Sequence, residues 1–314
     1  MFCIGFDIGG TKCAVSLGEV QGDSIQVLRR EETPTTANPV ETLEKLAPFV
    51  EAYQQEMSVV SAGISCGGPL DSATGVIIAP PNLHVGWHGF AIVDYVKKRF
   101  GLSAVLENDA NACAVAEWRF GAGRGSTNMV FFTFGTGLGA GLILDGKLYS
   151  GTNGNAGEFG HMRLAKVGPV GYGKEGSFEG FCSGGGIARL AVMMAKRQKQ
   201  MPKCIEELGG YEKVTTKALS KAAFAGDAFA KRVFEKSGEM LGKGLSVVID
   251  VLNPQKIVLG GVFMRSGELL IPAMKKQIKK EALGGSACVC EIVPAQLSEN
   301  IGDVAALAVA KGDC

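Results

Sequence analysis

Glycines gather at the ends of apolar stretches in this chain, and this pattern constrains the fold more than any other. There are 45 glycines in 314 residues, about twice the usual share. They lie beside apolar runs instead of forming a linker, in clusters at 9–10, 67–68, 135–141, 151–160, 168–186 and 260–261. A glycine at a strand end lets the backbone approach a ligand closely, because no Cβ stands in the way. The pattern predicts strands that end at a binding site.

The order of strand, glycine turn and strand occurs twice along the chain. The first copy reads FCIGFDI, GGTK and CAVSLGEV, and the second, after about residue 120, reads TNMVFFTF, a glycine run and AGLILDG. Helical segments separate the strands. Two α/β units of similar design are therefore expected, a smaller domain of residues 1–117 joined by a C-terminal helix at 300–314, and a larger domain of residues 118–299.

Local signals predict where several elements begin and end. Asn38 and Pro39 suit the N-cap and first position of a helix. Ser183 can cap a helix that continues to about Gln198, and a long helix from about Asp227 should end before Asn253. The pair Asp145-Gly146 is typical of a two-residue hairpin turn. The segments ACVCEIV and DVAALAVA are expected to form a late strand and a closing helix.

Composition excludes several classes of function. The net charge is +1, so no broad basic surface for nucleic acid or an anionic membrane is expected. The N-terminus reaches Asp7 too soon for a signal peptide, and no apolar run approaches the ~20 residues of a membrane span.

Cysteine usage indicates a reducing compartment. Nine cysteines occur without a C-x-x-C pair, and Cys3, Cys13 and Cys113 lie inside apolar runs. This pattern favours reduced, buried thiols in a cytoplasmic protein. Cys288 and Cys290 are expected on one face of a strand instead of at a metal.

The run FGTGLGAG at 134–141 could bind a nucleotide in three ways. A dinucleotide-binding fingerprint needs a helix after the glycines, whereas LILDGKLY alternates like a hairpin. A Walker A loop would need G-x-x-x-x-G-K-[ST], which the chain lacks. The third possibility is a hairpin whose backbone N–H groups bind a phosphate. A plain hairpin turn would need only one or two glycines.

The first loop, residues 7–12, has the same form with a carboxylate at its entrance. Asp7 precedes Gly9 and Gly10, and a carboxylate beside phosphate-binding amides suits magnesium held partly by water. Two such hairpins in two similar domains predict a nucleotide held between the domains.

Five motifs together resemble a known family. The runs DIGGTK at 7–12, FGTGLGAG at 134–141 and VLGGV at 258–262 resemble the phosphate-1, phosphate-2 and adenosine motifs of the actin-like/hexokinase-like ATPase superfamily. ENDAN at 107–111 and GEFGH at 157–161 narrow the resemblance to the ROK family (repressors, open reading frames and sugar kinases). The resemblance covers essentially the whole chain, with the motifs in the family's order.

The resemblance implies a fold and an activity. The fold would be α/β, a two-domain actin-like ATPase (ribonuclease H-like) architecture, in which each domain is a mixed sheet flanked by helices and the active site lies in the cleft between them. The activity would be ATP- and magnesium-dependent phosphorylation of a hexose, glucose or a close relative, at its primary hydroxyl. Domain closure around the substrate and a homodimer are expected on the same ground.

The resemblance also assigns site residues by position. Those expected at ATP and magnesium are Asp7, Gly9, Gly10, Thr11, Lys12, Gly135, Thr136, Gly137, Gly139, Gly260 and Gly261, with Asp7 meeting the ion through water. Those expected at the sugar are Gly67, Gly68, Asn108, Asp109, Glu158, His161 and Glu179. The family often has three glycines where this chain has Gly260 and Gly261, so the adenine contacts are less well defined than the phosphate contacts.

Asp109 is the candidate general base. It follows the apolar strand SAVL, and the matching aspartate of ROK kinases takes the proton of the sugar's primary hydroxyl. Asn108 would bind neighbouring hydroxyls. From the residues alone, Asp109 could instead cap the following helix.

The resemblance also implies a sugar-binding role for Glu158 and His161. Alone, such a pair in a glycine-rich loop would be solvated surface groups, whereas the family's pair binds hydroxyls near the anomeric carbon and Glu179 matches a third partner. Buried hydroxyls need such partners. His84 and His88 are read as loop residues without a chemical role.

One segment departs from the family. Many ROK proteins follow the Gly-His pair with C-x-C-G-x-x-G-C-x-E, whose three cysteines bind zinc together with the histidine. Aligned on Glu179, Gly173 and Gly176 are in register, but Val170, Tyr172 and Ser177 occupy the cysteine positions. Without thiolates the tetrahedral site cannot form, so no zinc is expected. Packing of Tyr172, Phe178 and Phe181 would then have to order the loop.

Three functions remain in competition. The leading hypothesis is a hexose kinase for glucose, with N-acetylmannosamine, N-acetylglucosamine, fructose and allose as alternative substrates. A sugar-responsive repressor would need a helix-turn-helix before the phosphate-1 strand, which begins here at residue 2. A non-catalytic sugar-binding protein is the third, and retention of Asp7, Asp109 and both glycine loops argues against it.

Overall fold

The computed structural model describes residues 1–297 and 301–312. The chain divides into two compact units. The first contains Met1–Phe131, Gly141–Ala156 and Ala295–Cys314, and the second contains Phe132–Ala140 and Gly157–Pro294. Residue 300, at which the closing helix was expected to start, and residues 313–314 lie outside the described part of the chain.

The first stretch of chain forms a sheet and the helices that cover it. Its elements, in order, are β1 (Phe2–Ile8), β2 (Lys12–Gln21), β3 (Ser24–Pro34), α1 (Pro39–Glu56), β4 (Val59–Cys66), β5 (Leu70–Asp71), β6 (Val76–Ile77), α2 (Ile92–Phe100), β7 (Ser103–Asn108) and α3 (Asp109–Phe120). Asn38 caps α1, its side chain accepting the Val40 N–H, and Pro39 is the first helical residue. The predicted start of this helix is confirmed.

The remaining elements follow in the same way. They are β8 (Met129–Phe134), β9 (Leu138–Leu144), β10 (Lys147–Leu148), β11 (Val170–Gly171), β12 (Lys174–Glu175), α4 (Phe178–Phe181), α5 (Gly184–Ala195), α6 (Lys203–Glu207), α7 (Thr216–Phe224), α8 (Ala228–Leu252), β13 (Lys256–Leu259), α9 (Val262–Glu281), α10 (Gly284–Ala287), β14 (Glu291–Pro294) and α11 (Ile301–Ala310). Single 3-10 turns lie at Val85–Trp87, Phe159–His161 and Tyr211–Lys213.

Two five-stranded sheets organise these elements. The first has the order β3-β2-β1-β4-β7 and the second the order β10-β9-β8-β13-β14. In the first, β1, β4 and β7 are parallel, whereas β2 and β3 are antiparallel. In the second, β9 and β10 pair antiparallel and β13 and β14 pair parallel. Both sheets are therefore mixed, and β8 and β9 contribute residues to both units.

The register of the first sheet aligns the carboxyl ends of its parallel strands. Asp7 on β1 is the partner of Ser65 on β4, and Ser65 is the partner of Glu107 on β7. The next row contains Ile8, Cys66 and Asn108. The loop after β1 and the start of α3 consequently lie along one edge of the sheet.

Glycines inside these strands make room for α11. A Cβ on Gly63 would lie 1.9 Å from the Ala306 carbonyl oxygen, and one on Gly18 would lie 2.3 Å from a Leu307 methyl group. The small residues of DVAALAVA are fully or almost fully buried against this face. The predicted closing helix is confirmed, and it forms part of the first unit.

The long helix α8 packs closely on α9. A Cβ on Gly238 or Gly242 would come within 2.5 Å of a carbonyl oxygen on α9. Asp227 caps α8 at its start, and Asn253 ends it in a left-handed conformation with φ 45°. Both boundaries agree with the sequence, whereas α9 itself was not predicted from the apolar pattern.

The prediction for Cys288 and Cys290 is wrong. The strand begins only at Glu291, and Cys288 ends α10, where its N–H donates to the Gly284 carbonyl oxygen. The predicted strand ACVCEIV loses its first half, because Ala287 ends a helical turn, Cys288 and Val289 form a turn and Cys290 has no regular structure. Cys3, Cys13 and Cys113 are buried as expected, and the eight cysteines in the described ranges are free.

A buried carboxylate joins two distant segments of the first unit. Glu117 on α3 has no exposed surface. Its oxygens accept the N–H groups of Ala122 at 2.8 Å, Gln296 at 3.0 Å and Leu297 at 2.8 Å. Such bonds offset the cost of burying a charge. Across the described residues, the helices are too short or too polar to traverse a lipid bilayer.

Candidate active site

Asn108 and Asp109 lie where β7 passes into α3. The Asn108 side chain caps the helix, its Oδ1 accepting the Ala110 N–H at 2.9 Å and the Asn111 N–H at 3.4 Å. Asp109 is the first helical residue, and its Oδ1 also accepts the Ala110 N–H, at 2.8 Å. The alternative that Asp109 is the N-cap is therefore wrong, because Asn108 has that role.

The protein environment of Asp109 shifts the pKa of its carboxyl group. Burial raises the pKa of the Asp109 carboxyl above its usual range, while hydrogen bonds from backbone N–H groups and from Asn108 act in the opposite direction. The residue nevertheless retains an exposed surface. An accessible carboxylate whose pKa is raised is a stronger base than an ordinary aspartate, and it can accept a proton from a bound hydroxyl.

Glu107 stabilises this junction through hydrogen bonds, and the sequence analysis did not predict this role. It is 7% exposed, and its Oε1 accepts the Asn108 N–H at 2.8 Å and the Asn111 side-chain amide at 3.0 Å. Burial raises the pKa of Glu107. A glutamate closing an apolar strand was the signal available in SAVLEN.

The turn after β4 approaches Asn108. A Cβ on Gly68 would lie 3.3 Å from the Asn108 Nδ2, and one on Gly67 would lie 3.4 Å from the Asn82 side-chain amide. The peptide bond between Gly68 and Pro69 is cis. Since Asn108 Oδ1 serves the helix, its Nδ2 is the atom that faces this turn.

The first glycine hairpin connects β1 to β2. The Gly9 N–H donates to the Lys12 carbonyl oxygen at 3.1 Å, and a Cβ on Gly10 would lie only 2.1 Å from the Asn82 carbonyl oxygen. Thr11 and Lys12 are exposed. The Lys12 Nζ contacts Glu32 Oε2 at 2.8 Å, so an incoming phosphate would compete with Glu32 for this lysine.

Asp7 lies among other carboxylates. Burial, then the charges of Asp303 and Asp109, raise the pKa of Asp7 to about 6, against the opposing effect of Arg30 and Lys12. Asp303 accepts hydrogen bonds from Ser16 Oγ at 2.7 Å and from Arg30 Nε at 2.9 Å. Neither Asp303 nor Arg30 was predicted, because both lie far from Asp7 in the sequence.

The residues around Asp7 fit a magnesium ion that brings its own ligands. Within residues 1–297 and 301–312, no three His, Cys, Asp or Glu side chains cluster closely enough to hold a metal. Mg²⁺ typically keeps several waters and binds one or two carboxylates plus phosphate oxygens. Asp7 beside the first glycine hairpin can supply one such carboxylate.

The second glycine hairpin, between β8 and β9, is braced by α5. The Gly135 N–H donates to the Gly137 carbonyl oxygen at 3.0 Å. The Gly135 and Thr136 carbonyl oxygens accept the N–H groups of Gly184 at 2.7 Å and Gly185 at 3.3 Å. Thr136 is exposed, and Gly139 lies on β9. Ser183 caps α5 as predicted, accepting the Gly186 N–H.

Glu179 is placed against this hairpin. Its Oε2 accepts the Leu138 N–H at 3.1 Å and lies 2.7 Å from the position that a Cβ on Gly137 would take. Glu158 and His161 are exposed residues of the neighbouring 3-10 turn. The second unit thus brings Glu179 to the hairpin, with the Glu158–His161 turn beside it.

Gly260 and Gly261 form the turn between β13 and α9. The Gly260 N–H donates to the Phe132 carbonyl oxygen at 2.9 Å. Gly261 has φ 60°, and a Cβ there would lie 2.1 Å from the Phe134 carbonyl oxygen. Only glycine fits this close approach to β8. His84 and His88 flank the 3-10 turn around Trp87 in the first unit.

Hydrogen bonds within the backbone order the segment 168–180. β11 and β12 form a small hairpin. The Gly176 N–H donates to the Pro169 carbonyl oxygen, and the Gly176 carbonyl oxygen accepts the Leu164 N–H. Phe178 and Phe181 are buried as expected, but Tyr172 is 71% exposed. The expected packing thus applies to the two phenylalanines, whereas Tyr172 contributes little buried surface. Its ring meets the His161 ring edge-on, at 6.3 Å between centroids.

Ser177 connects the two ends of this segment. It is fully buried, its Oγ donating to the Gly171 carbonyl oxygen at 3.3 Å and accepting the Gly180 N–H at 3.1 Å. Ser177 occupies a position at which the family has a zinc-binding cysteine. Its hydroxyl joins Gly171 and Gly180 by hydrogen bonds.

Replacing Ser177 by alanine should loosen this segment. The change removes a helix cap and leaves the Gly171 carbonyl oxygen and Gly180 N–H without this partner, a loss of about 1–3 kcal/mol. Thermal melting and limited proteolysis would show a lower Tm and faster cleavage within 168–180. Ser286→Ala, on α10, is the control and should change neither. Unaltered proteolysis of S177A would contradict the role given to this hydroxyl.

The protein should fold without zinc. Elemental analysis of the purified chain should find far less than one zinc per molecule, and a chelator should leave the Tm unchanged, because residues 168–180 contain no cysteine to hold the ion. Stoichiometric zinc, or a chelator-induced loss of folding, would show that the alignment through Gly173 and Gly176 is wrong.

Asp7→Asn should stabilise the ligand-free protein at neutral pH. A carboxyl whose folded pKa is raised adds stability that is complete below its unfolded pKa, near 4, and is lost as pH rises through about 6. The asparagine amide does not ionise, so the variant does not lose this stability as the pH rises. We expect a gain of roughly 1–2 kcal/mol at pH 7.5, discounted for partial exposure, that shrinks towards pH 5.

Melting curves across this pH range would measure the gain. Asp23→Asn is the matched control, because the Asp23 side chain is 85% exposed and should give no pH-dependent difference. A D7N protein that is no more stable than the parent at pH 7.5 would argue against charge repulsion at Asp7.

Comparison with known proteins agrees with this geometry. The ROK family model matches residues 3–313. A glucokinase of Streptomyces coelicolor is 31% identical over 312 residues, covering 98% of this chain and 97% of the relative. The transcriptional regulator NagC of Escherichia coli is 28% identical over 287 residues, covering 89% of this chain and 68% of NagC.

A solved structure shows the same fold. The ROK family glucokinase of Streptomyces griseus, crystallised with glucose and AMPPNP, superposes with a TM-score of 0.79 at 31% identity, and the match covers 99% of both chains. The α/β architecture with two mixed sheets is thus that of an actin-like ATPase. The chain belongs to the ROK family.

Proposed function

We propose that this protein is an ATP-dependent sugar kinase that phosphorylates the primary hydroxyl of a hexose, with glucose as the expected substrate and Asp109 as the general base. The observation that carries the proposal is the position of Asp109. Its carboxylate is exposed at the β7–α3 junction, burial raises its pKa, and its charge reaches Asp7 beside the first glycine hairpin.

The proposed step balances as a phosphoryl transfer. The sugar's primary oxygen forms a bond to the γ-phosphorus while the bond from that phosphorus to the β,γ-bridging oxygen breaks. The hydroxyl proton passes to Asp109, and the products are the hexose phosphate ester and ADP. Catalysis of this kind depends mainly on positioning and charge stabilisation, with one group to receive the proton.

Hydrogen bonds of the two preceding residues hold Asp109 in position. Glu107 holds the Asn108 backbone and the Asn111 side chain, and Asn108 holds the first turn of α3. Asp109 is therefore attached to a junction with little freedom to move. The Asn108 Nδ2, beside Gly68, would donate to a hydroxyl adjacent to the one that reacts.

The nucleotide would be bound as its magnesium complex. Backbone N–H groups around Gly10 and Thr11 in the first unit, where the Gly9 N–H closes the turn, and around Thr136, Gly137 and Gly139 in the second, suit phosphate oxygens. Lys12 would exchange its contact with Glu32 for a phosphate, and Asp7 would hold a water of the ion. The ion supplies charge neutralisation on the β- and γ-phosphates. Gly260 and Gly261 would lie at the adenine.

The second unit would supply the other sugar contacts. Glu158, His161 and Glu179 provide two carboxylates and an imidazole within one glycine-rich region, and each can pair with hydroxyl groups. The ordered segment 168–180 holds Glu179 in place through the Ser177 cap. Polyol recognition needs such partners, because an unpaired buried hydroxyl is costly.

Glucose is proposed from the named relatives. The family also includes proteins that are transcriptional regulators, such as NagC, so similarity alone does not select a sugar. A panel of glucose, mannose, fructose, allose, N-acetylmannosamine and N-acetylglucosamine, each tested for ATP consumption, would choose among them. Turnover on none of these would favour a non-catalytic sugar-binding protein.

We also propose a cytoplasmic homodimer. The location is supported by the free thiols, six of which are buried. The dimer is supported only by resemblance to the family.

Asp109→Asn should abolish most of the turnover while leaving the fold intact. Asparagine keeps the shape and the contact with the Ala110 N–H but cannot accept the hydroxyl proton, and loss of a general base lowers kcat by about 10²–10⁴-fold. Steady-state assays of ADP release with saturating glucose and MgATP would measure the effect.

Two further measurements make the result specific. Asp94→Asn, on the exposed side of α2, is the control and should retain full activity. Isothermal titration should show that D109N still binds glucose. Near-normal turnover by D109N would remove Asp109 from the role of base.

A further inference from the structure

We propose that Glu179 couples the two ligands in the second unit, so that binding of the sugar strengthens binding of the nucleotide. The inference rests on the proposed function for the identity of the two ligands. It concerns a connection between the Glu158–His161 turn and the phosphate hairpin that a contact with sugar alone would not require.

The carboxylate of Glu179 is attached to the hairpin directly. Its Oε2 accepts the Leu138 N–H at 3.1 Å. Leu138 is 4% exposed and follows Gly137, where a Cβ would come within 2.7 Å of the same Oε2. The absence of a side chain at Gly137 thus allows Glu179 to lie over the hairpin. The bond turns the Leu138 N–H towards Glu179.

The same residue also packs against the turn of Glu158 and His161. A Cβ on Gly160, between those two residues, would lie 3.4 Å from the Glu179 Cβ and 2.4 Å from the Leu138 carbonyl oxygen. The turn, the hairpin and Glu179 therefore meet at one point, and a shift of one would move the others.

The backbone of Glu179 is anchored by two neighbouring segments. Ser177 caps the short helix α4 on which it lies, and a Cβ on Gly186 would come within 2.4 Å of the Glu179 carbonyl oxygen. Gly186 belongs to α5, whose first N–H groups bind the carbonyl oxygens of Gly135 and Thr136. A fixed backbone leaves the side chain as the part that responds to a ligand.

The sign of the coupling follows from charge. A carboxylate beside a phosphate-binding hairpin repels the phosphate. Sugar hydroxyl groups that donate hydrogen bonds to the carboxylate offset part of its negative charge and so weaken this repulsion. A bound sugar also orders the turn and, through Gly160, the hairpin, so that the nucleotide loses less freedom on binding. Both effects raise nucleotide affinity when sugar is present, and reciprocity requires the same factor for the sugar.

Glu179→Gln tests the charge without removing the side chain. Titration calorimetry would measure ADP affinity with and without saturating glucose. We expect glucose to increase ADP affinity of the parent protein at least about fivefold, and we expect a clearly smaller factor in E179Q, which keeps the packing against Gly160 but loses the charge. Glu175→Gln, an exposed change in the same segment, is the matched control and should keep the full factor.

Hydrogen exchange of the Leu138 amide gives a readout that needs no ligand. In the ligand-free protein, a neutral acceptor in E179Q should speed this exchange roughly fivefold, and Glu179→Ala should speed it further. Glu175→Gln should leave it unchanged. A residue that only contacts sugar would not alter this amide.

The outcomes separate the two proposals. A coupling factor in E179Q equal to that of the parent, or Leu138 exchange that is the same in all variants, would overturn the role of Glu179 and leave the kinase assignment intact. A parent protein that binds neither ADP nor any hexose would overturn both.

Discussion

The in-register parallel pairing of β1, β4 and β7 is the constraint on which the first unit's site depends. It aligns Asp7, Ser65 and Glu107 in one row and ends the three strands at one edge. The glycine hairpin, the Gly67–Gly68 turn and the start of α3 all begin there. Because parallel strands share the direction of their carboxyl ends, the glycine hairpin after β1 and the Asp109 carboxylate can be brought to the same edge without long loops.

This arrangement has an electrostatic cost. Asp7, Asp109 and Asp303 lie near one another, and their charges raise the pKa of Asp7. Arg30 offsets part of the repulsion through its contact with Asp303, and it also pairs with Glu32, the partner of Lys12. A series of contacts thus runs from the closing helix to the first hairpin. The remaining repulsion is what a magnesium ion with its nucleotide would relieve.

Much of the fold could be predicted because its signals are local. The caps at Asn38, Ser183 and Asp227 lie within three residues of the groups they bind, and Asp145-Gly146 forms the expected turn with φ of 50° and 71°. Asn108 and Asp109 show the limit of such signals. Either can cap a helix, and the end of β7 decides that Asn108 does. At Cys288 the apolar pattern predicted a strand, whereas the structure has the end of a short helical turn of small residues.

The supports of the site could not be predicted because they join distant residues. Asp303 meets Ser16 across 287 residues, and no pattern near Lys12 points to Glu32. The segment 168–180 shows one feature that the sequence predicts and one that it does not. Its departure from the zinc motif was visible in the sequence, whereas the Ser177 bonds that order it depend on the folded backbone.

Product analysis by ³¹P nuclear magnetic resonance tests the central claim most directly. The purified protein would be incubated with glucose and MgATP, and the new phosphorus signal would be examined for coupling to sugar protons. A hexose kinase of the proposed kind gives ADP together with a phosphate ester whose phosphorus couples to the two protons of the primary carbon. A phosphate on the anomeric oxygen, or ATP consumption without a phosphorylated sugar, would contradict the account.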